Sequence, residues 1–150
     1  MIETSSNAVA PNHSSRVVAV ITAYNPDVTR FSSNFRSLYA SEIKTIVVND
    51  GSTFEEYEFR NFRQAVRDLG FDLINLSSNR GIAYALNTGI KRAFDEGADF
   101  VLLLDQDSTI DEELVRGLLN AHESLLLKGH KIAAVGPRHV DVKTGMRSNF

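Results

Sequence analysis

Cysteine is absent from the 150 residues. That removes disulfides, thiol nucleophiles and thiolate metal sites together, and it fits a reducing compartment, so a cytoplasmic protein is expected. No apolar run approaches the roughly 20 residues needed to span a bilayer. An excess of positive charge is also missing. Lys plus Arg number 16 against 19 Asp plus Glu, a formal charge of −3, and neither half of the chain is a basic arm. A protein that lives on nucleic-acid phosphates is therefore not expected, and no nucleic-acid partner is assigned. The G-x-S-x-G elbow, the P-loop and G-x-G-x-x-G are all absent, and the last of these counts against a dinucleotide oxidoreductase. His13, His122, His130 and His139 form no spaced metal motif.

What is present is an ordinary globular composition, 43% hydrophobic and 23% charged, over a length that suits one domain and is short for two. Residues 1–15 (MIETSSNAVAPNHSS) lack the basic start and apolar middle of a signal peptide and read as a flexible tail. From Arg16 the pattern alternates. Short apolar runs at 17–21, 44–48, 71–76, 100–104 and 131–135 predict five strands, the first and fourth buried on both faces. Between them, helices are predicted over 29–40, 53–69, 82–96 and 111–128. Thr53 with Glu56, and Thr109 with Glu112, have capping-box spacing. Gly70, Gly97 and Gly129 stand where C-terminal cap glycines belong. This β-α-β-α order predicts an α/β fold, a mostly parallel sheet with helices on both faces.

In such sheets ligands sit beyond the carboxyl ends of the strands. The residues there are polar: Thr22, Tyr24 and Asn25 after the first strand, Asn49, Asp50, Gly51 and Ser52 after the second, Asn79, Arg80 and Gly81 after the third, and Asp105, Gln106 and Asp107 after the fourth. Asp105 and Asp107 follow a buried strand and can converge on a hard divalent cation if the backbone bends; such ions take carboxylates together with phosphate oxygens. The alternative is that both acids only favour the start of the next helix through its dipole. Asp50 can accept from a base N–H or a ribose hydroxyl, or, with Ser52, simply shape a turn. Thr22 is either a ligand-facing hydroxyl or a strand-end filler. Asn79-Arg80-Gly81 opens a helix, where free N–H groups and Arg80 attract phosphate; otherwise Asn79 is an N-cap and Arg80 a solvated loop residue. Gly89, further along that helix, permits close packing.

Four segments taken together, VVAVITAYNPD (17–27), VVNDGS (47–52), NRGIAYALNTGI (79–90) and LLLDQDS (102–108), resemble the family-2 inverting glycosyltransferases of GT-A (Rossmann-like) fold. The LDQDS and NRGIAYALNTGI forms are similar to the bacterial rhamnosyltransferase branch, which builds cell-surface polysaccharide. The likeness covers 17–137. It implies that Thr22 and Asp50 bind the nucleotide base, that Arg80 lies near the nucleotide, and that Tyr24, Asn25, Ser52, Asn79, Gly81 and Asp105 complete the nucleotide-sugar site. Asp105 and Asp107 would be the D-x-D acids that hold Mg²⁺ or Mn²⁺. The implied donor is dTDP-rhamnose and the implied acceptor a saccharide or lipid-linked saccharide, met peripherally at the inner face of the cell membrane. Asn49 departs from the family, which commonly has an acid there. Residues 16–138 would form the donor-binding domain and 139–150 the start of an acceptor or catalytic part. The general base would lie beyond residue 150, with Asp141 not assigned to that role, so the chain by itself is expected to be inactive. Two other readings compete. One is a haloacid-dehalogenase-type phosphatase, with Asp105 as nucleophile and Asp107 as acid in the 105–109 D-x-D-x-T. The other is a non-catalytic nucleotide-binding module.

Overall fold

The computed structural model describes residues 16–110 and 112–137. In chain order the elements are β1 (Val17–Ala23), α1 (Val28–Asn34), α2 (Arg36–Ala40), β2 (Lys44–Asn49), α3 (Glu56–Asp68), β3 (Asp72–Asn75), α4 (Ile82–Asp95), β4 (Phe100–Asp105) and α5 (Glu112–Leu127). All strand pairs are parallel, in the order β3-β2-β1-β4. β1 is central and buried on both faces, which is why VVAVITA reads as a continuous apolar run rather than an alternating one. On one face Ala19, Ile21 and Val47 meet Phe31, Phe35, Leu38, Phe62 and Val66 from α1 to α3, and α5 joins through Val115. On the other face Val18, Val20, Ile46 and Val48 meet Ala85 and Ala93 of α4. Gly89 lets α4 lie close to the sheet. A Cβ there would come within 2.3 Å of Val20 Cγ1. The predicted α/β sheet with helices on both faces is thus the observed architecture.

Three local expectations are corrected. The helix expected over 29–40 breaks at Phe35 (φ −101°, ψ 9°). The break lets Phe31, Phe35 and Leu38 all reach the core; the two rings lie 4.9 Å apart, and each buried Phe contributes roughly 2 kcal/mol. The helix expected from Thr53 starts at Glu56 instead, and its capping box is Glu55 with Glu58, whose Oε2 accepts the Glu55 N–H at 2.9 Å. Thr53 is drawn away because its N–H donates to Asn25 Oδ1 at 2.8 Å. The fifth strand expected over 131–135 is not formed, so β4, expected to be buried on both faces, is instead an edge strand of the described sheet with Leu103 48% exposed. The run KIAAV has strand-like composition, but composition does not supply a ladder partner, and these residues line a groove with β4 and α5 without pairing to it. The start expected for α5 involves Asp111, which lies outside the described residues, as do the expected tail at 1–15 and the segment 139–150. Among the described residues no helix is long and apolar enough to cross a membrane.

Candidate functional site

The chain builds β1, β2 and β3 outward in one direction and then returns to place β4 on the other side of β1. This makes a switch point between β1 and β4, where loops leave the sheet in opposite directions and open a crevice at the carboxyl ends. Register aligns those ends. Thr22 stands opposite both Val48 and Asp105, Ala23 opposite Asn49, and Asn49 opposite Asn75. A cavity of about 430 Å³ lies there, lined by Thr22, Ala23, Tyr24, Asp50, Asn79, Gly81, Ile82, Ala85, Asp105, Gln106 and Asp107.

Asp50 is only 5% exposed, yet it meets no cation among the described residues. Its carboxylate is held by backbone: the Arg80 N–H donates to Oδ1 at 2.7 Å and the Gly81 N–H to Oδ2 at 2.9 Å. The acid therefore caps the turn that starts α4, replacing the Asn79 N-cap that the sequence allowed. Gly81 is the N-cap residue, and Asn79 Oδ1 accepts a second time from its N–H at 3.0 Å. Gly51 is required beside it. Its φ is +64°, and a Cβ would sit 2.1 Å from the Ser78 carbonyl carbon.

Asn49, the departure from the family pattern, is buried at 2% exposure and does not line the cavity. Its Nδ2 donates to Asn75 Oδ1, and its Oδ1 accepts from the Ser52 hydroxyl and from the Ser52 N–H at 3.3 Å. An amide serves both ends at once, whereas an ionised acid could not donate.

The acids after β4 sit on a closed turn. The Ser108 N–H donates to the Asp105 carbonyl at 3.0 Å, and the Asp105 N–H donates to Ser108 Oγ at 3.1 Å. Both carboxylates are exposed, and among the described residues neither accepts a hydrogen bond or joins an ion pair. Two carboxylates on one turn suit a hard divalent cation that takes its remaining oxygens from ligand phosphate and water. Among the described residues no group of three or more His, Asp or Glu would hold a metal unaided.

Of the residues singled out from sequence, Thr22, Tyr24, Asp50, Asn79, Gly81, Asp105 and Asp107 come together around the cavity. Asn25, Ser52 and Arg80 do not line it. Asn25, at φ +46°, donates its N–H to Ser52 Oγ at 2.8 Å, so these two fasten the β1 loop to the β2 loop. The Arg80 guanidinium lies over the Tyr84 ring at 4.4 Å. Sequence reasoning placed Gln106 at the strand end but gave it no role, and it did not single out Ile82, Ala85 or Tyr84. The four-residue spacing of Arg80 and Tyr84 at a helix start was the available signal for the last; the others show only once β1 and β4 are known to be neighbours.

The sequence profile described as "Glycosyl transferase family 2" matches residues 18–143. Among curated proteins, the chain is 28% identical over 128 residues to the dTDP-rhamnosyl transferase RfbF of Shigella flexneri, covering 85% of this chain and 40% of that protein. It is 38% identical over 85 residues to the poly-beta-1,6-N-acetyl-D-glucosamine synthase of Staphylococcus epidermidis, covering 54% and 18%. Among solved structures, S. aureus TarS 1–349 superposes with a TM-score of 0.53 at 20% identity, covering 83% of this chain and 38% of that one. The same fragment in complex with UDP gives 0.54 at 18% identity with the same coverage. The structural likeness establishes the GT-A type of fold. The chain spans about 40% of the length of RfbF and less of the synthase. A profile match over 18–143 also overturns the phosphatase alternative built on 105–109.

Proposed function

Since the chain belongs to glycosyl transferase family 2, we propose that it is the donor-binding portion of a metal-dependent inverting glycosyltransferase that moves rhamnose from dTDP-rhamnose to a cell-surface polysaccharide acceptor. The observation that carries this reading is the meeting of two acids without a partner among the described residues, Asp105 and Asp107, with Thr22, Asp50 and Gly81 around one cavity at the β1/β4 switch point. The base lies toward Thr22 and Asp50. Both Asp50 oxygens are engaged by backbone N–H groups, but each keeps a second lone pair that can accept from a pyrimidine N–H. The diphosphate lies toward the β4 turn. There Asp105 and Asp107 would hold Mg²⁺ or Mn²⁺, which when bound neutralises charge on the departing diphosphate. Tyr24, Asn79 and Gly81 complete the nucleotide-sugar site, and Asn25, Ser52 and Arg80 support it from behind through the contacts described above. Rhamnose and thymidine are supported by the likeness to a dTDP-rhamnosyl transferase, and a nucleoside diphosphate by the fold shared with a UDP complex.

In the whole protein, a carboxylate outside this chain deprotonates the acceptor hydroxyl, which attacks the anomeric carbon as the diphosphate leaves. The chain alone then binds donor without transferring sugar. The same proposal places the protein in the cytoplasm, peripheral at the inner face of the cell membrane, where a lipid-linked saccharide would be met. Calorimetric titration with dTDP and with UDP, each with and without Mn²⁺, tests the reading. Binding that strengthens with Mn²⁺ is expected, and no binding of either nucleotide in either state overturns it.

A further inference from the structure

One side chain fastens the turn that carries the two acids to β1 beyond the end of the ladder. In the β1–β4 ladder the last aligned pair is Thr22 with Asp105. Beyond it the strands part, and the Tyr24 N–H no longer meets a β4 carbonyl. It donates instead to the side-chain oxygen of Gln106, at 2.7 Å. The amide oxygen thus stands in for the next carbonyl of the ladder. Gln106 is half-buried and lines the cavity, whereas its neighbours Asp105 and Asp107 are exposed. The mutual bonds of Asp105 and Ser108 close the turn on itself, but they do not set how it leans on β1. Among the described residues it is the side-chain hydrogen bond that ties the turn to β1 beyond the end of the ladder.

We propose that Gln106 is a positioning residue: by accepting the Tyr24 N–H it locks the 105–108 turn against β1 and so aims the Asp105 and Asp107 carboxylates at a divalent cation shared with a nucleoside diphosphate. The inference rests on the function proposed above. A glutamine suits the task because it reaches across the gap as an acceptor while adding no charge beside two acids. Partners that orient metal ligands in this way matter to affinity even though they never touch the ion.

Two variants of the 150-residue chain separate the acceptor from the bulk. Gln106→Met keeps length and volume without the oxygen; Gln106→Glu restores an acceptor. Hydrogen exchange at the Tyr24 amide reads the lock directly, and Mn²⁺ affinity measured by electron paramagnetic resonance, with dTDP present, reads its consequence. In Gln106→Met the Tyr24 amide should exchange faster and Mn²⁺ affinity should fall about tenfold, a larger loss than any seen in metal-free dTDP binding. In Gln106→Glu the Tyr24 amide should stay protected. The proposal is overturned if Gln106→Met leaves Tyr24 exchange or Mn²⁺ affinity at the parental value, or weakens metal-free dTDP binding as much as metal binding. Absence of dTDP binding by the unaltered chain overturns the functional reading and this proposal with it; Mn²⁺-dependent binding that Gln106→Met leaves untouched overturns this proposal alone.

Discussion

At the amino edge of the sheet, Glu96 meets Lys44 at 2.7 Å and also Arg92, Asp72 lies 3.5 Å from Lys44, and Asp99 accepts the Arg16 backbone N–H at 2.8 Å. At the carboxyl edge, Asp105 and Asp107 meet no cation among the described residues, and Asp50 is held by backbone N–H groups alone. The same kind of side chain is spent differently at the two ends. Below, acids are matched to bases and hold strand starts to the end of α4. Above, two acids have no partner among the described residues, which costs little in water and leaves them open to a ligand, while the third is buried to shape the loop they face. A strand-end carboxylate is thus informative in proportion to how little the protein itself asks of it.

The contrast can be broken most forcefully at Asp50. Asp50→Ala leaves the Arg80 and Gly81 N–H groups without their acceptor. Urea unfolding should show a loss of about 3 kcal/mol, with nucleotide binding abolished; a variant as stable as the parent would mean that the carboxylate does not hold this turn. The double change Asp105→Asn with Asp107→Asn should act in the opposite way. Mn²⁺-dependent nucleotide affinity should fall about 100-fold, while the unfolding midpoint stays where it was or rises slightly, since no protein partner is lost and a like-charge pair is removed. A stability loss as large as that of Asp50→Ala would erase the distinction between the two kinds of acid.

The smallest effect belongs to the amino edge. The Glu96 carboxyl is held below its ordinary value of 4.5, first by its hydrogen bond from Lys44 and then by Arg92. A carboxyl that binds its proton less readily in the folded than in the unfolded chain adds stability above the ordinary value, and that stability is lost as pH falls through the lowered one. Glu96→Gln should therefore lower the melting temperature slightly at neutral pH, with the difference vanishing in acid. A difference that persists in acid would point to packing rather than charge. Exposed pairs of this kind contribute little, so the shift will be small.

Much of this arrangement was legible before any coordinates. β1 and β2 announce themselves because central parallel strands are buried on both faces, β4 because of its apolar run although it lies at the edge, and Asn49-Asp50-Gly51-Ser52 and Asp105-Gln106-Asp107 announce the site because polar residues directly after such strands fall on one edge. Less legible was anything that depends on which elements are neighbours. Thr53 carries a good capping signal that loses to Asn25, a residue 28 positions earlier brought close by the β1–β2 pairing. The run 131–135 has strand composition but no ladder partner among the described residues. Asn25, Ser52 and Arg80 look like ligand contacts in sequence, but none lines the cavity: Asn25 bonds Ser52, and the Arg80 guanidinium lies over Tyr84. Gln106, the unremarkable middle of D-x-D, gains its role only from the Tyr24 N–H across the switch point.

The central claim is that the open carboxylates at the carboxyl edge, and not the paired ones at the amino edge, take a cation together with a nucleoside diphosphate. Paramagnetic broadening of amide signals by Mn²⁺ in the presence of dTDP tests it most directly. Broadening centred on Tyr24, Gly81 and Gln106, with Lys44, Asp72 and Glu96 left sharp, is the predicted result. Broadening centred on Lys44 and Glu96, or none that depends on dTDP, would contradict it.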